Sequence, residues 1–222
     1  MQQVKECVYC GSTENLTKDH IPPKNLFAKP RPSNLITVPS CASCNGGFQL
    51  DDDYFWMIMH TRMETGGHPE LTRTKAKFIS SLNRMESARY KRAILNSMFL
   101  AELVTKSSLY VGTATAFRVD GERLNKVASR IIKGLFYYEK GFRLPDECEA
   151  VAFADPLTMS DDPEVINRLV SFMLTRPEQI IGNNVFSYRC HFHEEEEYTS
   201  AWLMLFYENM LFLGSTSNQD TT

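Results

Sequence analysis

Four of the six cysteines fall in two pairs, Cys7-x-x-Cys10 and Cys41-x-x-Cys44, while Cys148 and Cys190 stand alone downstream. Each Cys-x-x-Cys knuckle places two thiolates about one turn apart, so two such pairs can close a tetrahedral site for a structural zinc ion. Four thiolates leave no open position, so this metal would hold structure rather than act on a substrate. The segment pinned between the pairs carries groups that could act: Asp19-His20-Ile21-Pro22-Pro23, then Asn34-Leu35, with Asn45 directly behind Cys44. An imidazole with an ordinary pKa of about 6.5 is largely neutral at pH 7 and can take a proton from water.

In this order, Cys-x-x-Cys, Asp-His-Ile-x-Pro, Asn-Leu and Cys-x-x-Cys-Asn resemble the HNH, or ββα-metal, endonucleases in their four-cysteine form, over about residues 7–50. The resemblance implies that His20 is the general base, that Asp19 and Asn45 hold a catalytic Mg²⁺ or Mn²⁺, and that Asn34 buttresses the loop between two strands. It implies hydrolysis of DNA to 5′-phosphate and 3′-hydroxyl ends, RNA remaining an alternative, in the style of restriction and anti-phage defence proteins. Two departures stand out. Asn34 and Cys41 are two residues further apart than in the compact motif, with Pro39 between them, and Asn45 takes the place of the third histidine. Adjacent strand residues point to opposite faces, so Asp19 and His20 reach one metal only if the backbone there is irregular, which Pro22-Pro23 makes plausible. The competing reading is a non-catalytic zinc module that binds nucleic acid or a protein partner.

The net charge of -3 conceals polarity. Residues 1–148 carry 21 Lys/Arg against 15 Asp/Glu, and residues 149–222 carry 3 against 12. The positive part is densest at Arg62, Arg73, Lys75, Lys77, Arg84, Arg89, Lys91 and Arg92, a candidate surface for nucleic-acid phosphates, with a solvated helix face as the equal alternative. The acidic part could dock a protein partner. Cys190-His191-Phe192-His193-Glu194 reads as a solvated strand edge rather than a second metal site, Asp51-Asp52-Asp53 as an exposed turn rather than a further ligand near the site, and His60 and His68 as surface or core packing residues. The N-terminal residues lack the basic-then-apolar pattern of a secretory signal and there is no apolar run of membrane length, so a reducing cytoplasm is the expected setting.

These residues need a scaffold. The expected class is α+β: a nuclease module over 1–53, then a helical and α+β accessory region over 54–222 with a small antiparallel sheet. Residues 1–40 are rich in Pro, Asn and Gly and suit loops and a hairpin. Lys75–Val104 reads as largely helical. Leu124, Val127, Ile131, Leu135 and Tyr138 recur at helical spacing and predict a helix over Glu122–Glu139, stopped at Gly141. A strand is expected over Ala150–Ala154, a helix over Pro163–Leu174 capped by Asp161 or Asp162, and a strand over Val185–Phe192. Ala201–Tyr207 and Met210–Leu213 read as a hairpin, with Ser215–Thr222 a frayed tail.

Overall fold

The computed structural model describes residues 5–62, 67–82, 92, 95–105, 107–155, 159–160 and 162–218. They form two compact units, one of Met1–Arg73 with Gly121–Thr222 and a second of Thr74–Asp120. The architecture is α+β. Among the described residues no helix is long and apolar enough to cross a membrane.

In the first unit, β1 (Leu16–Ile21) pairs antiparallel with β2 (Ile36–Cys41), and α1 (Ala42–Gly47) and α2 (Gln49–Thr61) follow. The ribbon buries Ile21, Ile36 and Val38 on one face. That face is covered by α4 (Gly121–Lys140), while α3 (Pro69–Leu82) contains the division between the two units at Arg73 and Thr74. The apolar residues of α4 anticipated from spacing, Leu124, Val127, Ile131 and Leu135, are all buried. Tyr138 is exposed. The helix comes so close to β1 that a Cβ on Gly134 would lie 2.5 Å from Ile21 Cγ1.

On its other side α4 packs on a five-stranded antiparallel sheet ordered β5-β9-β8-β7-β6. These strands are β5 (Cys148–Phe153), β6 (Gln179–Ile181), β7 (Phe186–Phe192), β8 (Ser200–Phe206) and β9 (Met210–Asn218). Period-two alternation sorts the side chains of β8. Trp202 and Phe206 join the aromatic core with Phe55, Phe192 and Phe212, while Leu203, beside Leu213 of β9, clusters with Ile166 and Met173 of α5 (Pro163–Leu174). Asp162 caps α5, its carboxylate accepting from Glu164 N at 2.9 Å. Residues Ser215–Asn218 are not frayed. They extend β9 and pair with Val151 back to Cys148, which gives the strand an edge partner that its polar sequence does not announce; residues 219–222 lie outside the described residues.

In the second unit α3 is described as far as Leu82, residues 83–91 of the expected helix lie outside the described residues, and Met98–Val104 is a strand, β3, paired with β4 (Tyr110–Phe117). The helical reading of Lys75–Val104 therefore fails at its C-terminal end. A short apolar run such as Met98-Phe99-Leu100-Ala101 fits either state by periodicity, and pairing with a later segment decides it.

Candidate active site

The zinc knuckles are built first. Cys7 N donates to Ser12 O and Gly11 N to Cys7 O, closing the first turn with Gly11 at φ +71°, a conformation that glycine adopts without strain. Val8 N donates to Pro39 O, so the segment carrying Pro39 lies against the first knuckle. Cys41 ends β2 and caps α1, its Sγ accepting from Cys44 N at 3.4 Å. The four Sγ atoms lie within 4.8 Å of one another, and Cys10 Sγ and Cys41 Sγ are 3.7 Å apart. A zinc ion with bonds of about 2.3 Å to sulfur needs tetrahedron edges of about 3.8 Å, so the quartet fits. Burial pushes the Cys7 thiol up, but backbone N–H groups of Cys41, Tyr9 and Cys10 outweigh it and bring the thiol to about 6. Burial and the neighbouring sulfurs instead push the Cys44 thiol up, so four thiolates this close need a cation between them. The quartet has the geometry to hold zinc, and the extra spacing before Cys41 does not open it.

Beside it lies a cavity of about 460 Å³. Four consecutive residues of β1, Thr17 to His20, line it, opposite Pro23 to Asn25 and the residues of α1 and α2 around Asn45 and Asp52. Strand pairing runs without a break from Leu16↔Cys41 to Ile21↔Ile36, so the irregular backbone expected at Asp19 and His20 is not what unites them. The cavity follows the open edge of the ribbon, where successive residues can all contribute.

Asp19 is buried. Tyr9 Oη donates to its Oδ2 at 2.7 Å and His20 N to its Oδ1 at 2.8 Å. Burial, then the charge of Asp19, raises the Tyr9 hydroxyl well above its ordinary value, so it stays a donor. Asn45 Nδ2 donates to Thr17 Oγ1 at 3.0 Å and to Lys18 O at 3.3 Å, which turns Oδ1 away from the strand as a free acceptor. His20 is half-buried, and burial followed by the charge of Lys24 depresses its pKa, keeping the imidazole neutral at pH 7. Asp19 and Asn45 both line the cavity and offer oxygen donors of the kind a hard cation takes. Among the described residues the cysteine quartet is the one cluster of three or more His, Cys, Asp or Glu with metal-ligand spacing.

Asn34 is elsewhere. Its Nδ2 donates to Ile180 O at 3.1 Å and its Oδ1 accepts from Gly182 N at 3.3 Å, so it ties the β1–β2 loop to the end of β6 and does not line the cavity.

Asp51, Asp52 and Asp53 begin α2 rather than forming an exposed turn. Burial opposes the ionisation of Asp51, but Lys126 and Arg123 hold its carboxyl below the usual range. Asp52 and Asp53 line the cavity. Arg130 of α4, itself buried, reaches Asp52 Oδ1 at 2.5 Å and lies over the Phe48 ring, which meets the Tyr9 ring edge-on. Burial lifts the Asp52 carboxyl to about 6 against the pull of Arg130. Sequence pattern carries no sign of Tyr9 or Arg130, because a donor to Asp19 and a partner for Asp52 are defined only by contact.

Of the eight cations singled out by charge density, Arg84, Arg89 and Lys91 lie outside the described residues. Arg73 is paired with Glu70, and neither Arg62 nor Arg73 lines the cavity. Lys75 and Lys77 are exposed on α3, and Arg92 is exposed. His191 meets the Phe172 ring edge-on, His193 Nδ1 accepts from Glu195 N, His60 packs on Trp56 and His68 on Tyr207.

The HNH endonuclease family model matches residues 7–47. The segment is therefore an HNH module of the four-cysteine, zinc-knuckle kind, which ties this part of the chain to nucleic-acid chemistry and metal binding. No curated protein and no solved structure matches the chain.

Proposed function

We propose that the protein is a metal-dependent endonuclease that hydrolyses DNA phosphodiester bonds. The observation that carries this reading is that Asp19, His20 and Asn45, different in chemistry and partly distant in sequence, line one cavity inside the HNH segment. A binding module has no use for a neutral, half-buried imidazole beside a carboxylate and a free amide oxygen.

In this mechanism His20 accepts a proton from water as the water oxygen attacks phosphorus in line, and the bond from phosphorus to the 3′ oxygen breaks. Asp19 and Asn45 would hold Mg²⁺ or Mn²⁺, which when bound supplies positive charge to the crowded phosphate and the departing oxygen. Tyr9 fixes Asp19 through its donated hydrogen bond, and Asn45 stays aimed by its two bonds to β1.

The test is cleavage of plasmid DNA and of RNA by the purified chain with Mg²⁺, with Mn²⁺ and with EDTA, beside His20→Ala. The expected result is metal-dependent cutting of DNA that falls by roughly 10²–10⁴ in His20→Ala while zinc content is unchanged. A zinc-loaded His20→Ala protein that cuts at the native rate overturns the assignment.

A further inference from the structure

We infer that the DNA backbone beside the cut is held by Lys24 and Arg31 on the loop between β1 and β2, and that the C-terminal sheet presents this loop. The inference rests on the nuclease reading and names the surface that serves the same cavity.

Most arginines of the first unit have a carboxylate close by: Arg73 has Glu70, Arg123 has Asp51, Arg130 has Asp52, Arg143 has Asp146 and Arg189 has Glu178. Lys24 and Arg31 are exposed and, among the described residues, have no carboxylate partner. Lys24 lines the cavity, and Arg31 Nε donates to Lys24 O at 3.3 Å, which sets the second cation beside the first. An unpaired cation lining a cavity that already holds Asp19 and Asp52, with a second cation on the loop beside it, raises the local concentration of a polyanion and gives its phosphates something to meet.

Such a loop would forfeit much of its binding free energy in becoming ordered if it were free to move. It is anchored instead. Leu26, Phe27 and Ala28 are buried between the two cations in sequence. Tyr207 Oη, from the turn after β8, donates to Leu26 O at 2.8 Å in the interior, and Asn34 closes the loop against Ile180 and Gly182. Gly182, at φ +61°, lies so near the loop that a Cβ would come within 2.5 Å of Phe27 and 2.9 Å of Pro32. The downstream sheet thus acts as a bed for the basic loop of the module, and this gives Asn34 its use.

The experiment measures binding of a labelled short DNA duplex across a salt series, in the His20→Ala chain so that nothing is cut. Replacing Lys24 and Arg31 together by alanine is expected to weaken binding about tenfold at low salt and to reduce the slope of log K against log salt by about two, roughly 0.9 for each phosphate no longer neutralised. Lys24→Arg with Arg31 intact keeps the slope. Replacing Arg73, Lys75 and Lys77 leaves it unchanged. Tyr207→Phe, in the cutting-competent chain, raises KM severalfold with kcat and zinc content unaltered. An unchanged slope in the chain without Lys24 and Arg31, or a weakening produced by replacing Arg73, Lys75 and Lys77 instead, overturns the inference and leaves the nuclease standing. A native chain that cuts nothing but shows the slope change overturns the nuclease and leaves the surface.

Discussion

Among the described residues two antiparallel ribbons differ in how they are covered. β1–β2 buries Asp19 and Ile21 on one strand and Ile36, Val38, Ser40 and Cys41 on the other. β3–β4 leaves Met98, Phe99, Leu100, Leu103, Val104, Tyr110 and Val111 exposed. A two-stranded ribbon is marginal in water unless something else holds it. The first has two aids: four cysteine sulfurs gathered at its Cys41 end, placed for zinc, and α4 across its face. Geometry tight enough for chemistry is therefore found on the ribbon that is fastened, and its open edge is where the cavity lies.

The largest expected effect comes from removing the first fastening. Cys44→Ser takes one thiolate from a site whose metal supplies folding free energy to the module. The protein should lose its single zinc, amide protection in β1–β2 and all cleavage, while protection in β7, β8 and β9 persists. Elemental analysis with hydrogen exchange reads this, and a Cys44→Ser chain that keeps zinc and cutting would remove the metal from the comparison.

The second fastening is tested at Gly134. An alanine in open space on a helix would stabilise by about 1 kcal/mol. Here its Cβ meets fully buried Ile21 at 2.5 Å, and overpacking of this kind costs about 1–3 kcal/mol, so the clash wins. Gly134→Ala should lower Tm by roughly 2–8 °C and slow cleavage, because Ile21 is the residue after His20. Ile21→Val in the same chain should restore part of both. A Gly134→Ala protein as stable as the native one would show that α4 does not hold the ribbon.

The smallest effect belongs to the other ribbon. Leu100 is 77% exposed, so Leu100→Ser should change stability by less than about 0.5 kcal/mol in urea unfolding. A larger drop would mean that these apolar side chains are covered in solution, and the contrast between the ribbons would shrink.

Much of the scaffold was readable because it is local. The spacing of Leu124, Val127, Ile131 and Leu135 marks α4, the Asp162-Pro163 start marks α5, and Glu208-Asn209 marks the turn between β8 and β9. The strand at Met98–Val104 was not readable, since its apolar run satisfies two periodicities and its partner lies beyond a turn. Nor was the end of β9, where Ser215–Asn218 is polar in composition and ordered by β5.

At the site, the sequence by itself determined the donor types and their nearness along the chain: two thiolate pairs whose spacing suits zinc, and a carboxylate, an imidazole and an amide between and behind them. Only the tertiary structure decided which groups share a cavity. Asp52 joins Asp19 there from a distant part of the chain, Arg130 reaches Asp52 from α4, and Asn34 is drawn away to β6. The physical reason is range. Ligand spacing and helical period are set by bond geometry within a few residues, whereas an ion pair between distant helices exists only once packing has brought two surfaces together.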